Sequence, residues 1–285
     1  MSIDSGGLGL RLGALALLRD LIHERAGVFF DDQRMSSIAD RVGPLVANRG
    51  FDSFLDYYYL LKYDADAASE WDRVMDAISV PETYFWREVD QLLAVVDHIV
   101  PALMRTRVRP VRIWCAPCAS GEEPLTLAML LDDRRRSFDV EITASDASPA
   151  ALAAARTGLY RDRSFRTLPS EFRTRYFTPE GGRWRIRPDI HQRVLSWTQV
   201  NIADPVQAAA HAGADIIFCR NVFIYFSDGA IRKVAELMAD HMPVPAYLCV
   251  GASESLLRIT DRFELEQVAD AFVYVKRESS GKLVS

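Results

Sequence analysis

At positions 115–124 a turn of small residues runs straight into two acids, CAPCASGEEP. Small residues in a turn let a ligand come close to the backbone. If the turn opens a helix, its bare N–H groups would suit a phosphate, but Glu122 and Glu123 would repel one at contact range. G-x-G-x-x-G and GK[ST] are both missing, so dinucleotide and nucleoside-triphosphate binding are disfavoured. A ligand with a cationic amino acid and a sulfonium, such as S-adenosylmethionine, suits acidic neighbours. The same two carboxylates would also complement the positive end of a helix, so both readings stand. Asp146 ends an apolar run 24 residues after Glu122. Doubly wound nucleotide folds place an acid there for the ribose hydroxyls, although Asp is also a common N-cap. Cys115 and Cys118 form C-x-x-C, but no second pair completes a zinc site and the five histidines are scattered. Neighbouring glutamates would raise a thiol's pKa, so the pair reads as small core-lining residues.

These groups need a scaffold, and the hydrophobic periods supply one. VRIWCAP (111–117), VEITASD (140–146), DIIFCRN (215–221) and AYLCVGAS (246–253) read as strands, alternating with helical stretches such as EEPLTLAMLLDD. Ser148 and Pro149 look like the N-cap and first residue of one such helix. Alternation of this kind implies βαβ crossovers, a mostly parallel sheet and a ligand at the strands' carboxyl ends. There the polar Asn221 and Tyr225 follow the third strand; a buried, unbonded polar group costs about 1–3 kcal/mol, so Asn221 demands partners. FELEQ and FVYVKR predict a terminal antiparallel pair. Before residue 80 the period is helical instead: Leu15, Leu18 and Ile22, then Phe54, Tyr57, Tyr58 and Leu61, recur at three- and four-residue spacing.

The chain of 285 residues therefore divides into a small all-α domain (1–80) and an α/β domain (81–285), joined by a linker helix over 88–106. The first carries all of the formal charge of −5; the second is neutral. Residues 156–193 hold ten arginines against Asp162, Glu171, Glu180 and Asp189, and Gly181-Gly182 marks a hairpin within them. A plain doubly wound fold needs only a helix there, so an inserted antiparallel β subdomain is expected over about 161–198. The acidic balance disfavours nucleic acid as partner. No run of about 18 apolar residues suggests a membrane span. The N-terminal sequence lacks secretory features, and the four cysteines fit reduced thiols in a cytoplasm.

PETYFWRE, RIWCAPCASGEEPLTLAMLL, ASDASPAALAAARTGLY, NIADP, DIIFCRNVFIYF and GASESL stand in the order and near the spacing of the chemotaxis-receptor glutamate methyltransferases, the CheR family. The resemblance runs from about residue 12 to 277. It implies a class I, Rossmann-like, seven-stranded and mostly parallel sheet, a helical N-terminal domain and a three-stranded insertion. It further implies that S-adenosylmethionine is the cofactor and S-adenosylhomocysteine the product. The partner would be the cytoplasmic helices of chemoreceptors, whose glutamates become methyl esters; a cytoplasmic monomer is expected. Carried over by motif, Thr83, Arg87, Pro117, Glu123, Asp146, Asn201, Ile202, Arg220 and Asn221 would bind cofactor, while Arg87 and Tyr225 would serve catalysis. Thr83 and Arg87 would share a face if helical. Glu123 would pair with the methionine ammonium, Asp146 with the ribose and Asn201 with the adenine edge.

The chain departs from the family in places. Pro81 stands where the family often has Asn, removing an amide and a backbone donor. Trp86 replaces the second Phe of the motif, and Asn201-Ile202 replaces Asn-Leu. The helical domain is acidic, which puts the docking surface in question rather than the chemistry. The competing reading is a cofactor-binding regulatory module without transfer activity, for which Pro81 argues.

Overall fold

The computed structural model describes residues 12–80, 82–134 and 139–278; Pro81, and the departure it represents, lie outside the described residues. Four helices form the N-terminal part: α1 (Leu12–Ala26), α2 (Met35–Asn48), α3 (Phe54–Tyr63) and α4 (Ala67–Ile78). The residues at helical spacing, among them Leu15, Leu18, Ile22, Tyr57 and Leu61, meet Ile38, Val42, Val46, Val74 and Ile78 in one core. Glu70 is fully buried in it, which is tolerable because Tyr57 Oη donates to Oε1 at 2.7 Å and Arg49 pairs with Oε2 at 2.6 Å.

A connecting helix follows, α5 (Val89–Ala94), which passes through a π turn into α6 (Val100–Met104). The α/β domain then alternates: β1 (Val111–Cys115), α7 (Glu122–Asp133), β2 (Val140–Asp146) and α8 (Pro149–Thr157). Next come β3 (Leu159–Tyr160), α9 (Ser170–Tyr176), β4 (Phe177–Glu180), β5 (Arg183–Ile186), α10 (Pro188–His191) and β6 (Val194–Gln199). The remainder is α11 (Pro205–Ala209), β7 (Ile216–Phe218), α12 (Asp228–His241), β8 (Ala246–Cys249), β9 (Glu264–Val268) and β10 (Ala271–Lys276). Seven strands make one sheet in the order β6-β2-β1-β7-β8-β10-β9. The first five are parallel, and β10 runs antiparallel to both β8 and β9. Alternation along β1 builds both faces: Ile113 and Cys115 enter the core under α5–α7, while Trp114 enters the core under α11 and α12. Winding reverses between β1 and β7, so a crevice opens where their carboxyl ends part.

The insertion is a second, antiparallel sheet in the order β3-β5-β4, with Gly181 and Gly182 in left-handed conformations at its hairpin turn. Many of its arginines meet carboxylates: Arg173 with Asp162, Arg175 with Asp133, Arg185 with Glu180, Arg187 with Asp189 and Arg193 with Asp132. The local positive balance is thus partly offset by acids of α7. Among the described residues no helix is long and apolar enough to cross a membrane.

Candidate active site

The crevice at the reversal point is a cleft with about 1180 Å³ of empty space, its open mouth included. Every residue carried over by motif lines it: Thr83, Arg87, Pro117, Glu123, Asp146, Asn201, Ile202, Arg220, Asn221 and Tyr225. Three chain stretches bring most of them there, and the ends of β2 and β6 add Asp146 and Asn201-Ile202.

The first is the turn between β1 and α7. Gly121 precedes α7 at φ +93°, and a Cβ there would lie 2.8 Å from the Trp197 ring, so glycine is required. The two glutamates then part company. Glu122 is buried away from the cleft, accepting from Ser120 Oγ at 2.7 Å and from Ser164 Oγ at 2.9 Å, which ties α7 to the segment after β3. Glu123 lies on the cleft wall with Oε2 3.1 Å from Arg220 Nη1, and its buried Oε1 has no hydrogen-bond partner. Burial pushes its carboxyl above the ordinary value; Arg220 pulls it back and Glu88 adds to the rise. Burial likewise raises the thiols of Cys115 and Cys118.

Asp146 closes β2 and is buried. Its Oδ2 accepts from Ala119 N at 2.8 Å and its Oδ1 from Ser148 N at 2.9 Å. Each oxygen can accept a further bond, and the residue lines the cleft. Burial raises this carboxyl too, although the backbone donors oppose the rise.

The segment before α5 forms the second stretch. Residues 83–84 are irregular and 85–88 form a turn, not a helix: Trp86 and Glu88 take positive φ values of 71° and 48°. The helical premise for pairing Thr83 with Arg87 therefore fails, yet both still line the cleft. Anchoring comes from aromatics instead. Phe85 is fully buried, with ring centroids 4.8 Å from Tyr160, 5.0 Å from Phe177 and 5.3 Å from Phe165. Trp86 packs on Phe172 at 4.5 Å. Arg87 donates through Nη1 to the Glu82 carbonyl at 2.6 Å.

The third stretch follows β7. Arg220, 5% exposed, donates to the Arg87 carbonyl at 2.9 Å and to Glu88 Oε2 at 3.1 Å. Asn221 Nδ2 donates to Glu88 Oε1 at 3.1 Å. The Glu88 carboxyl feels the opposing cost of burial, but Arg220, Asn221 and the Ala252 N–H outweigh it and hold it below its ordinary value. Sequence reasoning missed Glu88, although it ends the PETYFWRE motif beside Arg87, and Glu254 in GASESL, for which no local signal stands in the sequence.

The helical domain forms part of the wall through Ala26, Val28, Met75 and Ile78. Asn201 Nδ2 donates to the Arg25 carbonyl at 2.6 Å, and its Oδ1 accepts from Ala203 N at 3.0 Å. One of that amide's two hydrogens thus joins the two domains rather than facing the cleft. Phe29 N donates to the Tyr225 carbonyl at 2.7 Å, and His23 and Ser227 are 2.9 Å apart. Asp76 of α4 accepts from Ser148 Oγ at 2.5 Å and from Ala150 N at 3.1 Å.

A Rossmann-like sheet with an acid-walled crevice at its winding reversal, and no phosphate loop, defines a nucleoside-binding α/β protein. Comparison with known proteins refines that class. Residues 81–272 match the CheR methyltransferase SAM binding domain and residues 13–79 the CheR methyltransferase all-alpha domain. The chain belongs to the CheR methyltransferase family, and it is an S-adenosylmethionine-dependent methyltransferase. Chemotaxis protein methyltransferase 2 of Vibrio cholerae is 31% identical over 263 residues, 90% of this chain and 91% of that one. Chemotaxis protein methyltransferase 1 of Pseudomonas aeruginosa is 28% identical over 267 residues, 90% and 96% of the two chains. Among solved structures, the rRNA methyltransferase AviRa of Streptomyces viridochromogenes aligns at 15% identity and a TM-score of 0.43, covering 70% of this chain and 88% of that one.

Proposed function

We propose that this chain methylates glutamate side chains on the cytoplasmic helices of methyl-accepting chemoreceptors, working in the cytoplasm and giving methyl esters and S-adenosylhomocysteine. The observation that best supports this reading is the Glu123 carboxylate, held against Arg220 with Oε1 unpartnered on the cleft wall. A buried acceptor without a partner costs free energy unless a ligand donor meets it, and an ammonium would do so. Asp146 has lone pairs free for ribose hydroxyls. Thr83, Pro117, Ile202 and Asn221 complete the walls, and Asn201 would offer its remaining amide hydrogen to the adenine edge.

When bound, S-adenosylmethionine supplies a methyl group on a cationic sulfur. The protein's residues need supply no general base, because a glutamate acceptor with a pKa of about 4.3 is already ionised at pH 7. Their task is alignment and exclusion of water, which is worth on the order of 7–11 kcal/mol of barrier. Arg87 would steer the acceptor carboxylate through a single angled contact, since a bidentate grip would damp its nucleophilicity. Tyr225 would close the pocket near the reacting centre.

Tritiated-methyl transfer to membranes bearing the same organism's receptors tests the reading. Base-labile label on a receptor is the expected result; label that survives base, or none on any receptor, overturns it.

A further inference from the structure

Glu254 is not a wall of the cleft, yet three main-chain donors converge on its carboxylate. Gly251 N and Asn221 N donate to Oε2 at 2.6 and 2.8 Å, and Ile224 N donates to Oε1 at 3.2 Å. The donors come from the two loops that leave β7 and β8, side by side in the sheet. Beyond Phe218 and Cys249 no strand ladder holds those loops together. In the loop after β7, Asn221 sits at φ +59°, a left-handed conformation that asparagine tolerates better than most non-glycine residues. It leads into a short 3₁₀ turn, Phe223–Tyr225, which carries the cleft residue Tyr225.

The approach of the loops is tight. A Cβ at Gly251 would lie 2.5 Å from Asn221 Nδ2 and 2.8 Å from Glu254 Oε2. Without the carboxylate, three N–H groups would crowd together with no acceptor among them. Asn221 is held from its other end as well, because its side-chain amide reaches Glu88 Oε1 at 3.1 Å.

We infer that Glu254 is a positioning residue for methyl transfer. It fixes the Asn221–Tyr225 turn from behind, and so holds Tyr225 at the cleft without touching either substrate. The inference rests on the function proposed above. A residue that only stapled two loops for stability would change melting behaviour while leaving the rate of the folded enzyme intact. A positioning residue must change the rate itself.

The test uses the full chain with Glu254→Ala and Glu254→Gln, assayed with S-adenosylmethionine and receptor membranes. The Ala variant should lose about 10- to 100-fold in kcat, the scale on which small misplacements of aligned groups act. The Gln variant should fall between, since one carbonyl oxygen can keep the Gly251 and Asn221 bonds but not the bond from Ile224. Affinity for S-adenosylhomocysteine should stay within about threefold for both, giving a loss in kcat rather than in binding. Hydrogen exchange should quicken in a peptide spanning residues 219–226 while α12 is unchanged. Wild-type kcat in the folded variants, or loosening spread evenly over the domain, overturns the inference; if the Ala variant does not fold, the Gln variant decides by the same criteria. Should the unaltered enzyme methylate no receptor, the functional reading fails, and local exchange in the variants still decides whether Glu254 holds the turn.

Discussion

Replacing Glu123 with Gln isolates the charge that the cleft presents to its ligand. The substitution keeps the shape of the side chain, and Arg220 keeps Glu88 Oε2 at 3.1 Å as a partner. The cost to the fold should therefore fall below the roughly 3–5 kcal/mol of breaking a buried ion pair outright. Binding should suffer more. A hydrogen bond to a charged group is worth about 1.5–3 kcal/mol, so affinity for S-adenosylhomocysteine should drop about 10- to 150-fold. Calorimetry with the natural ligand and with an analogue lacking the amino group separates charge pairing from other losses, because the variant should bind the analogue as the wild type does. The pH profile adds a second readout. Burial raises the Glu123 carboxyl above the ordinary 4.5. Below that raised value the group is neutral and cannot pair with an ammonium, so affinity should begin to fall at a higher pH than an ordinary glutamate would dictate. Binding there should release a proton. Asp146, also raised by burial, titrates alongside, so the decisive comparison is between the two profiles: the variant's should be flatter. Equal affinities and superimposable profiles would refute the pairing.

Other substitutions probe different parts of the site. Arg87→Ala should lower the transfer rate by about 100-fold at saturating substrates if Arg87 orients the acceptor; a near-normal rate in the folded variant would remove Arg87 from that role. Gly121→Ala forces a side chain onto φ +93° and to within 2.8 Å of Trp197. It should cost roughly 2–4 kcal/mol in denaturant unfolding, from left-handed strain and overpacking together. Asp76→Ala removes the acceptor for Ser148 Oγ and Ala150 N. Limited proteolysis between the domains should speed up, and S-adenosylhomocysteine affinity should fall several-fold, by about 1 kcal/mol per lost bond at most.

Four parallel strands were legible because they are largely apolar runs between helices of a different period, whereas β6, mostly half-exposed, was not read and fell within the stretch assigned to the insertion. The terminal pair β9–β10 was legible from its short strand-like segments, and the hairpin from the turn glycines Gly181-Gly182. The cleft residues were legible because five motif segments fall on strand ends or turns that this topology must bring together. What could not be read was how the polar groups share partners. Glu122 and Glu123 are adjacent and identical in type, yet one bonds Ser164 and the other faces the cleft; a register along one helix turn separates them, and its partner lies 42 residues away. Asn201 reads as a ligand donor, but the carbonyl of Arg25, 176 residues distant, already takes one of its hydrogens. Residues 83–88 do not meet the helical condition for pairing Thr83 with Arg87, and spacing alone does not show that Phe85 and Trp86 are pinned to the insertion.

The acidity of the helical domain acquires a structural explanation from the same contacts. Asp76 caps the start of α8, and Asp72 accepts from Gln199 Nε2 at 2.5 Å, so two acids of α4 bind its own methyltransferase domain. Glu70 is consumed by Tyr57 and Arg49, and Asp20 and Asp32 both pair with Arg19. The formal charge therefore does not translate into a free acidic face of matching size. Asp76 also bonds Ser148, whose N–H holds Asp146, so a chain of hydrogen bonds runs from the helical domain to this carboxylate on the cleft wall.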